Sequence, residues 1–81
     1  MTIKALIFCK VHHKAMKKVI DEFNDIPEIK KVFSLTGDYD LLAEIVIEST
    51  DELYNSFVKK IDPIDGIIKT NTHIVMKEFS R

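Results

Sequence analysis

The spacing of apolar residues in this chain changes repeatedly between the period of a β-strand and that of an α-helix. Residues Thr2 to Val11 predict a strand, with one face formed by Ile3, Ala5, Ile7, Cys9 and Val11 and the other by Lys4, Leu6, Phe8 and Lys10. Because its centre is apolar on both sides, we expect both faces to be covered. From His13 to about Asn24 the apolar residues recur at intervals of three and four, which is typical of an amphipathic helix; they are Met16, Val19, Ile20 and Phe23. Pro27 prevents the helix from continuing.

A strand predicted at Ile29 to Thr36 completes the first half, and a strand predicted at Leu41 to Glu48 begins a second half of the same order. The two strands are joined through Gly37 as a hairpin. The segment STDELYNSFVKKID predicts a helix with Ser49 or Thr50 as its N-cap. Its buried face should comprise Leu53, Tyr54, Phe57, Val58 and Ile61. The DPIDG segment ends this helix, and Ile67 to Phe79 is the last predicted strand.

The resulting order, β-α-β-β-α-β, predicts an α+β, ferredoxin-like fold with a four-stranded antiparallel sheet and both helices on one face. At 81 residues it should be one domain, spanning residues 1–81. The other face of the sheet would carry apolar residues that no helix covers. With 46% hydrophobic residues, we expect the chain to form a homo-oligomer whose subunits meet through this face.

Charge and cysteine content exclude several functions. A net charge of −1 argues against direct binding of nucleic acid, which usually requires a basic surface. The one cysteine, Cys9, cannot form an internal disulfide, and its apolar surroundings favour a buried, unreactive thiol. No apolar run is long enough to span a bilayer and no signal-peptide pattern is present, so we expect a soluble, cytoplasmic protein that does not bind membranes.

The segment TGDYD, between the two strands of the hairpin, contains the most distinctive polar residues. Gly37 can adopt positive φ and expose N–H groups that suit an anion, and Asp38 or Asp40 can accept hydrogen bonds from an ammonium group. Tyr39 adds an aromatic ring with a polar end. The set suits a zwitterion, but the same residues also form ordinary turns.

Other polar residues point less clearly to chemistry. Thr70 and Thr72 share one face of the last strand, where they serve either as β-branched packing residues or as hydroxyl groups beside a pocket. The adjacent His12 and His13 should point in opposite directions, and His73, in the middle of the last strand, suits a sheet histidine with an ordinary hydrogen bond. We therefore predict no metal site, no cofactor and no catalytic residue.

Two long segments carry a family resemblance. IPEIKKVFSLTGDYDLLAEIVIES and GIIKTNTHIVMKEF resemble the effector-binding (RAM) domain of the Lrp/AsnC, or feast/famine, transcriptional regulators. The resemblance implies a sensor of free amino acids that dimerises through its sheets, assembles into octamers or similar rings, and binds its effector where dimers meet. The implied ligand-binding residues are Gly37, Asp38, Tyr39, Asp40, Thr70, Thr72 and Ile74.

Full-length members of that family carry a helix-turn-helix domain, which is missing from this sequence. The chain looks like a stand-alone sensor, or one cut from a longer regulator, that could pair with full-length Lrp/AsnC regulators. Two alternatives remain open: a small dimeric monooxygenase-like enzyme, for which His73 is the one plausible anchor, and an assembly module without a small ligand. Amino-acid-binding ACT modules share the topology, so the fold alone does not decide between families.

Overall fold

The computed structural model describes residues 1–81 and contains the predicted strands and helices in the predicted order. The strands are β1 (Ile3–Val11), β2 (Ile29–Ser34), β3 (Leu41–Ile47) and β4 (Ile67–Ile74), and the helices are α1 (Met16–Asn24) and α2 (Thr50–Ser56). The sheet has the order β2-β3-β1-β4, and each neighbouring pair is antiparallel. The α+β, ferredoxin-like fold is confirmed.

One face of the sheet is packed against the helices. The two central strands contribute alternate residues to the core, and these side chains are fully buried: Ala5, Ile7, Cys9, Leu41, Ala43 and Ile45. Val19 and Phe23 of α1 and Ile61, beyond α2, close the core from the helical side. Of the face predicted for β1, only Ile3 is half-buried rather than buried.

The other face of the sheet has no helix against it. Its central strands carry the half-buried apolar side chains Leu6, Phe8, Leu42 and Val46. On the edge strand β2, Phe33 pairs with Leu42 and is 45% exposed. We call this surface the open face; its apolar character agrees with the sequence prediction.

The last strand is shorter than predicted. β4 ends at Ile74, not at Phe79, and Phe79 is 83% exposed. The reason lies in the partner strand: Ile74 pairs with Ala5, and the amide of Val75 donates to the Lys4 carbonyl at 2.9 Å. β1 begins only one residue before Lys4, so the remaining residues have no strand to pair with. Likewise, β2 ends at Ser34 rather than Thr36.

The second helix begins as predicted but does not keep its period. Ser49 is the N-cap, and its hydroxyl accepts a hydrogen bond from the Glu52 amide at 3.1 Å. Beyond Ser56 the chain widens into a π-helical turn, Phe57–Ile61. The predicted buried face is wrong in two places, since Tyr54 is 68% and Val58 41% exposed. Val58 lies in the wider turn, which moves side chains away from the positions that a period of 3.6 residues predicts. Tyr54 precedes that turn, and there α2 buries Ser56 instead.

The first helix is preceded by a 3₁₀ turn, His13–Ala15, so its α-helical part begins at Met16. Neither helix is long and apolar enough to cross a membrane.

Candidate ligand-binding site

The loop between β2 and β3 is closed by a backbone hydrogen bond from Leu35 to the Asp40 carbonyl, at 2.9 Å. Gly37 lies inside this loop with a φ of 98°, a conformation that favours glycine. A Cβ atom at this position would have no heavy atom within 4 Å. Gly37 is therefore needed for the backbone conformation, and the space beside it is open.

Asp40 is bonded to the end of β1. Its Oδ2 atom accepts a hydrogen bond from the Val11 amide at 2.8 Å, and its own amide donates to the Cys9 carbonyl at 2.9 Å. The side chain is half-buried. From the sequence, either Asp38 or Asp40 could accept a hydrogen bond from an ammonium group, whereas in the structure the Asp40 carboxylate already accepts one from the Val11 amide.

Asp38 and Tyr39 have different surroundings from Asp40. Asp38 is exposed. The Tyr39 ring lies over the open face, with its centroid 5.6 Å from that of Phe8 and the ring planes at 54°. The Asn71 side-chain amide approaches the Tyr39 hydroxyl at 3.5 Å, a long contact. The loop thus presents a free carboxylate and a ring fixed on the sheet.

The predicted residues of β4 lie on the opposite face of the sheet from Tyr39. Thr70, Thr72 and Ile74 pair with Cys9, Ile7 and Ala5, whose side chains belong to the helix-covered core. Because side chains alternate along a strand, all three β4 residues face the helical side. The alternation that puts the threonines together also separates them from the tyrosine.

The predicted β4 residues also lie at different distances from the loop along the strand. Thr70 pairs with Cys9, whose carbonyl accepts a hydrogen bond from the Asp40 amide of the loop. Ile74 pairs with Ala5, farther from the loop. Four residues of strand correspond to about 13 Å. A molecule as small as an amino acid cannot contact the loop and all three β4 residues of one protomer at the same time.

Three contacts of the loop were not predicted from the sequence: Phe8 under the Tyr39 ring, Asn71 near its hydroxyl, and the backbone amide of Val11. The position of Phe8 opposite the buried face of β1 was the one available signal, since it puts an aromatic ring on the open face. The other two contacts depend on strand register, which one sequence does not reveal.

His73 also lies on the open face. Its ring meets that of Phe8 edge-on, with centroids 5.5 Å apart and an interplanar angle of 85°. The side chain is exposed and is paired across the sheet with Leu6. No group of three or more His, Cys, Asp or Glu side chains converges as metal ligands would.

Cys9, in contrast to the exposed His73, is not accessible to solvent. Its side chain is fully buried in the core, and burial raises the pKa of the thiol to about 12. Its Sγ–H points to the Ile7 carbonyl at 3.7 Å. A neutral, enclosed thiol is a poor nucleophile.

A separate polar cleft of about 440 Å³ lies at the other end of the β2–β3 hairpin. It is lined entirely by polar and charged side chains: Glu28, Ser49, Asp51, Glu52, Asn55, Ser56, Lys59 and Lys60. Lys60 donates to both carboxylate oxygens of Glu28 at 2.8 Å, and the Ser56 hydroxyl donates to the same carboxylate at 3.2 Å. These bonds hold together α2, the π-helical turn and the start of β2.

This chain is similar in sequence to several known proteins. The HTH-type transcriptional regulator FL11 of Pyrococcus furiosus is 36% identical over 75 residues, which cover 93% of this chain and 49% of the regulator. The chain thus spans about half the length of the curated regulators it matches. Homocitrate synthase of Sulfurisphaera tokodaii is 30% identical over 78 residues, but these make up only 17% of that enzyme.

Solved structures agree on the fold. AsnC of E. coli superposes with a TM-score of 0.92 at 23% identity, covering 98% of this chain and 54% of AsnC. The transcriptional regulator NMB0573 of Neisseria meningitidis, in its complex with L-Met, gives 0.90 at 18% identity, covering 98% of this chain and 53% of the regulator. The family model described as the Lrp/AsnC ligand binding domain matches residues 4–81. The chain therefore belongs to the Lrp/AsnC ligand-binding domain family.

Proposed function

We propose that this chain is a cytoplasmic amino-acid sensor and oligomerisation module, not an enzyme. It binds a free amino acid or a related small effector against the Gly37–Asp40 loop and changes its state of assembly when the effector binds. The observation that carries the proposal is the loop itself, in which an exposed carboxylate, Asp38, adjoins a glycine at positive φ and open space. The complex of the Neisseria relative with L-Met supports an amino acid as the effector class.

The proposed binding site includes more than one protomer. Tyr39 lies on the open face, whereas Thr70, Thr72 and Ile74 lie on the helical side. A second copy of the chain can bring its own β4 residues to the loop of the first. A ligand shared in this way binds the assembled form better than the separate protomers, so it shifts the assembly equilibrium.

The proposed oligomer is a dimer formed through the open face, with dimers joining into an octamer or a similar ring. The open face supplies half-buried Leu6, Phe8, Leu42 and Val46 for the dimer contact. The same surface would let the chain pair with a full-length Lrp/AsnC regulator and modulate it. Direct binding of nucleic acid is not part of the proposal, because the net charge is −1.

A thermal-shift screen against the twenty proteinogenic amino acids, at fixed protomer concentration, tests the proposal. A ligand present at a hundred times its Kd stabilises the folded state by about 2.7 kcal/mol. That is enough to raise Tm by several degrees in a domain of this size. We expect a shift with one amino acid or a few related ones; no shift with any of the twenty would contradict the sensor function and favour an assembly module.

A further inference from the structure

We infer that the two carboxylates of the loop have different tasks: Asp40 is a positioning residue that fixes the loop on β1, and Asp38 receives the ammonium group of the bound amino acid. The assignment of Asp38 rests on the proposed function. The assignment of Asp40 concerns the protein without ligand and stands independently.

Asp40 is needed as a hydrogen-bond acceptor because β1 extends beyond the last residue with which it pairs in β3. Pairing between β1 and β3 ends at Cys9 and Leu41, but β1 continues to Val11. Residues two apart on a strand direct their amides to the same side. The Val11 amide therefore points toward β3 at a level where β3 has already turned into the loop.

Val11 is only 3% exposed, so water does not replace the missing strand partner. A buried amide without an acceptor is strongly destabilising. The Asp40 carboxylate supplies the acceptor at 2.8 Å, while the Asp40 amide bonds Cys9 and its carbonyl bonds Leu35. One residue thus extends the β1–β3 pairing by a further step and fixes where the loop leaves the sheet.

Asp38 lies two residues before this anchor. It is exposed and next to Gly37 and the open space beside it. A carboxylate already bonded to a buried amide would lose that bond, or share it, in order to receive an ammonium group. Asp38 has no such bond to give up, so it is the acceptor that a ligand can use without loosening the loop.

Amide hydrogen exchange of the ligand-free protein tests the role of Asp40. In Asp40→Ala we expect exchange at Val11 and Leu35 to be at least about tenfold faster than in the wild type, because the Val11 amide loses its acceptor and the loop that the Leu35 amide closes is no longer fixed on β1. Asp40→Asn keeps a neutral acceptor and should show a smaller increase, which also provides a reading if Asp40→Ala does not fold. Asp38→Asn is the matched control and should leave both amides protected. Unchanged exchange at Val11 in both Asp40 variants would overturn the assignment.

Calorimetric titration separates the two tasks in the presence of ligand. The probes are the amino acid that gives the largest thermal shift among the twenty and its deaminated analogue, which keeps the carboxylate and lacks the ammonium group. For Asp38→Asn we expect the Kd of the amino acid to rise about tenfold or more, because a charge-assisted bond is lost. The Kd of the analogue should not change.

For Asp40→Ala we expect both Kd values to rise by the same factor, and Asp40→Asn should raise them less. The ratio of the two Kd values is the decisive quantity, since a residue that only positions the loop cannot distinguish the two ligands. A ratio altered by Asp40→Asn and not by Asp38→Asn would reverse the assignment. If no amino acid binds, the proposed function and the role of Asp38 fail together, while the exchange measurement still decides the role of Asp40.

Discussion

The ring of Tyr39 packs against the ring of Phe8, with centroids 5.6 Å apart. Tyr39 lies in the loop between β2 and β3, whereas Phe8 lies in β1, 31 positions earlier in the sequence. Phe8 is in the middle of β1, so the contact attaches the loop to the most central part of the open face. The ring of Tyr39 is thereby held in place before any ligand arrives.

Replacing Tyr39 separates the ring contact from the hydroxyl contact. Tyr39→Ala removes the aromatic pair and should lower the free energy of unfolding by about 1–2 kcal/mol. Tyr39→Phe keeps the ring and loses only the 3.5 Å contact with Asn71, so its effect should stay within about 0.5 kcal/mol. Urea unfolding at one fixed protomer concentration measures both. Equal losses in the two variants would show that the ring contact does not stabilise the loop.

The two glycines should differ in their tolerance of a methyl group. Both have positive φ, 98° at Gly37 and 102° at Gly66, so alanine at either position is strained by about 1–2 kcal/mol. At Gly66 the added Cβ would also overlap the Ala15 Cβ, whereas at Gly37 it would have no heavy atom within 4 Å. We therefore expect Gly66→Ala to be less stable than Gly37→Ala by a further 1–3 kcal/mol or so. Thermal unfolding of the two variants measures the difference. Equal Tm values would contradict the prediction.

The Glu28–Lys60 pair predicts a pH dependence of stability. The hydrogen bonds from Lys60, together with its charge, hold the pKa of Glu28 below the ordinary value of 4.5. A carboxyl group whose pKa is lower in the folded state stabilises that state above its unfolded pKa. This stabilisation is lost as the pH falls through the folded pKa.

Glu28→Gln should cost about 1 kcal/mol at pH 7. As the pH falls from the ordinary value of 4.5 through the lowered pKa of Glu28 in the folded state, the difference from the wild type should shrink, because the wild-type carboxyl becomes protonated as well. Urea unfolding of both proteins from pH 7 down to pH 3 provides the comparison, and titration of the other carboxyl groups cancels in the difference. A gap between the two proteins that does not depend on pH would contradict the ion-pair account.

A charged substitution on the open face should weaken assembly more than one on the surface of α2. Phe33 is 45% exposed on the open face, and Tyr54 is 68% exposed on α2. If subunits meet through the open face, Phe33→Lys places a charge in the contact and should shift the protein toward monomers, while Tyr54→Lys should not. Sedimentation velocity over a range of protomer concentrations distinguishes them. An oligomer that survives Phe33→Lys and is lost in Tyr54→Lys would move the interface to the helical side.

The fold could be predicted from the sequence because its strongest signals are local. The alternation of Ala5, Ile7 and Cys9 predicts that these three residues share one face of β1, and all three are fully buried in the structure. The prediction failed at Tyr54 because α2 buries the polar Ser56 in place of this aromatic residue. It failed at Val58 because a π-helical turn interrupts a period that the sequence continues without a break. Nothing in the residue types of that segment signals the wider turn.

The candidate site could be predicted only in part, because its geometry depends on contacts between distant segments. The sequence picked out the loop, but it did not distinguish Asp38 from Asp40. That distinction depends on the Val11 amide, 29 positions away, and on where β3 stops pairing with β1. In the same way, alternation placed Thr70 and Thr72 together, whereas the side of the sheet they occupy follows from their register with β1.

The proposed function couples amino-acid binding to assembly, and sedimentation velocity with and without effector measures this coupling. The probe is the amino acid that gives the largest thermal shift, and the deaminated analogue serves as the control. We predict that the amino acid changes the distribution of oligomers at a protomer concentration where more than one species is present, and that the analogue changes it less. An amino acid that binds and leaves the distribution unchanged at every concentration would contradict the coupling.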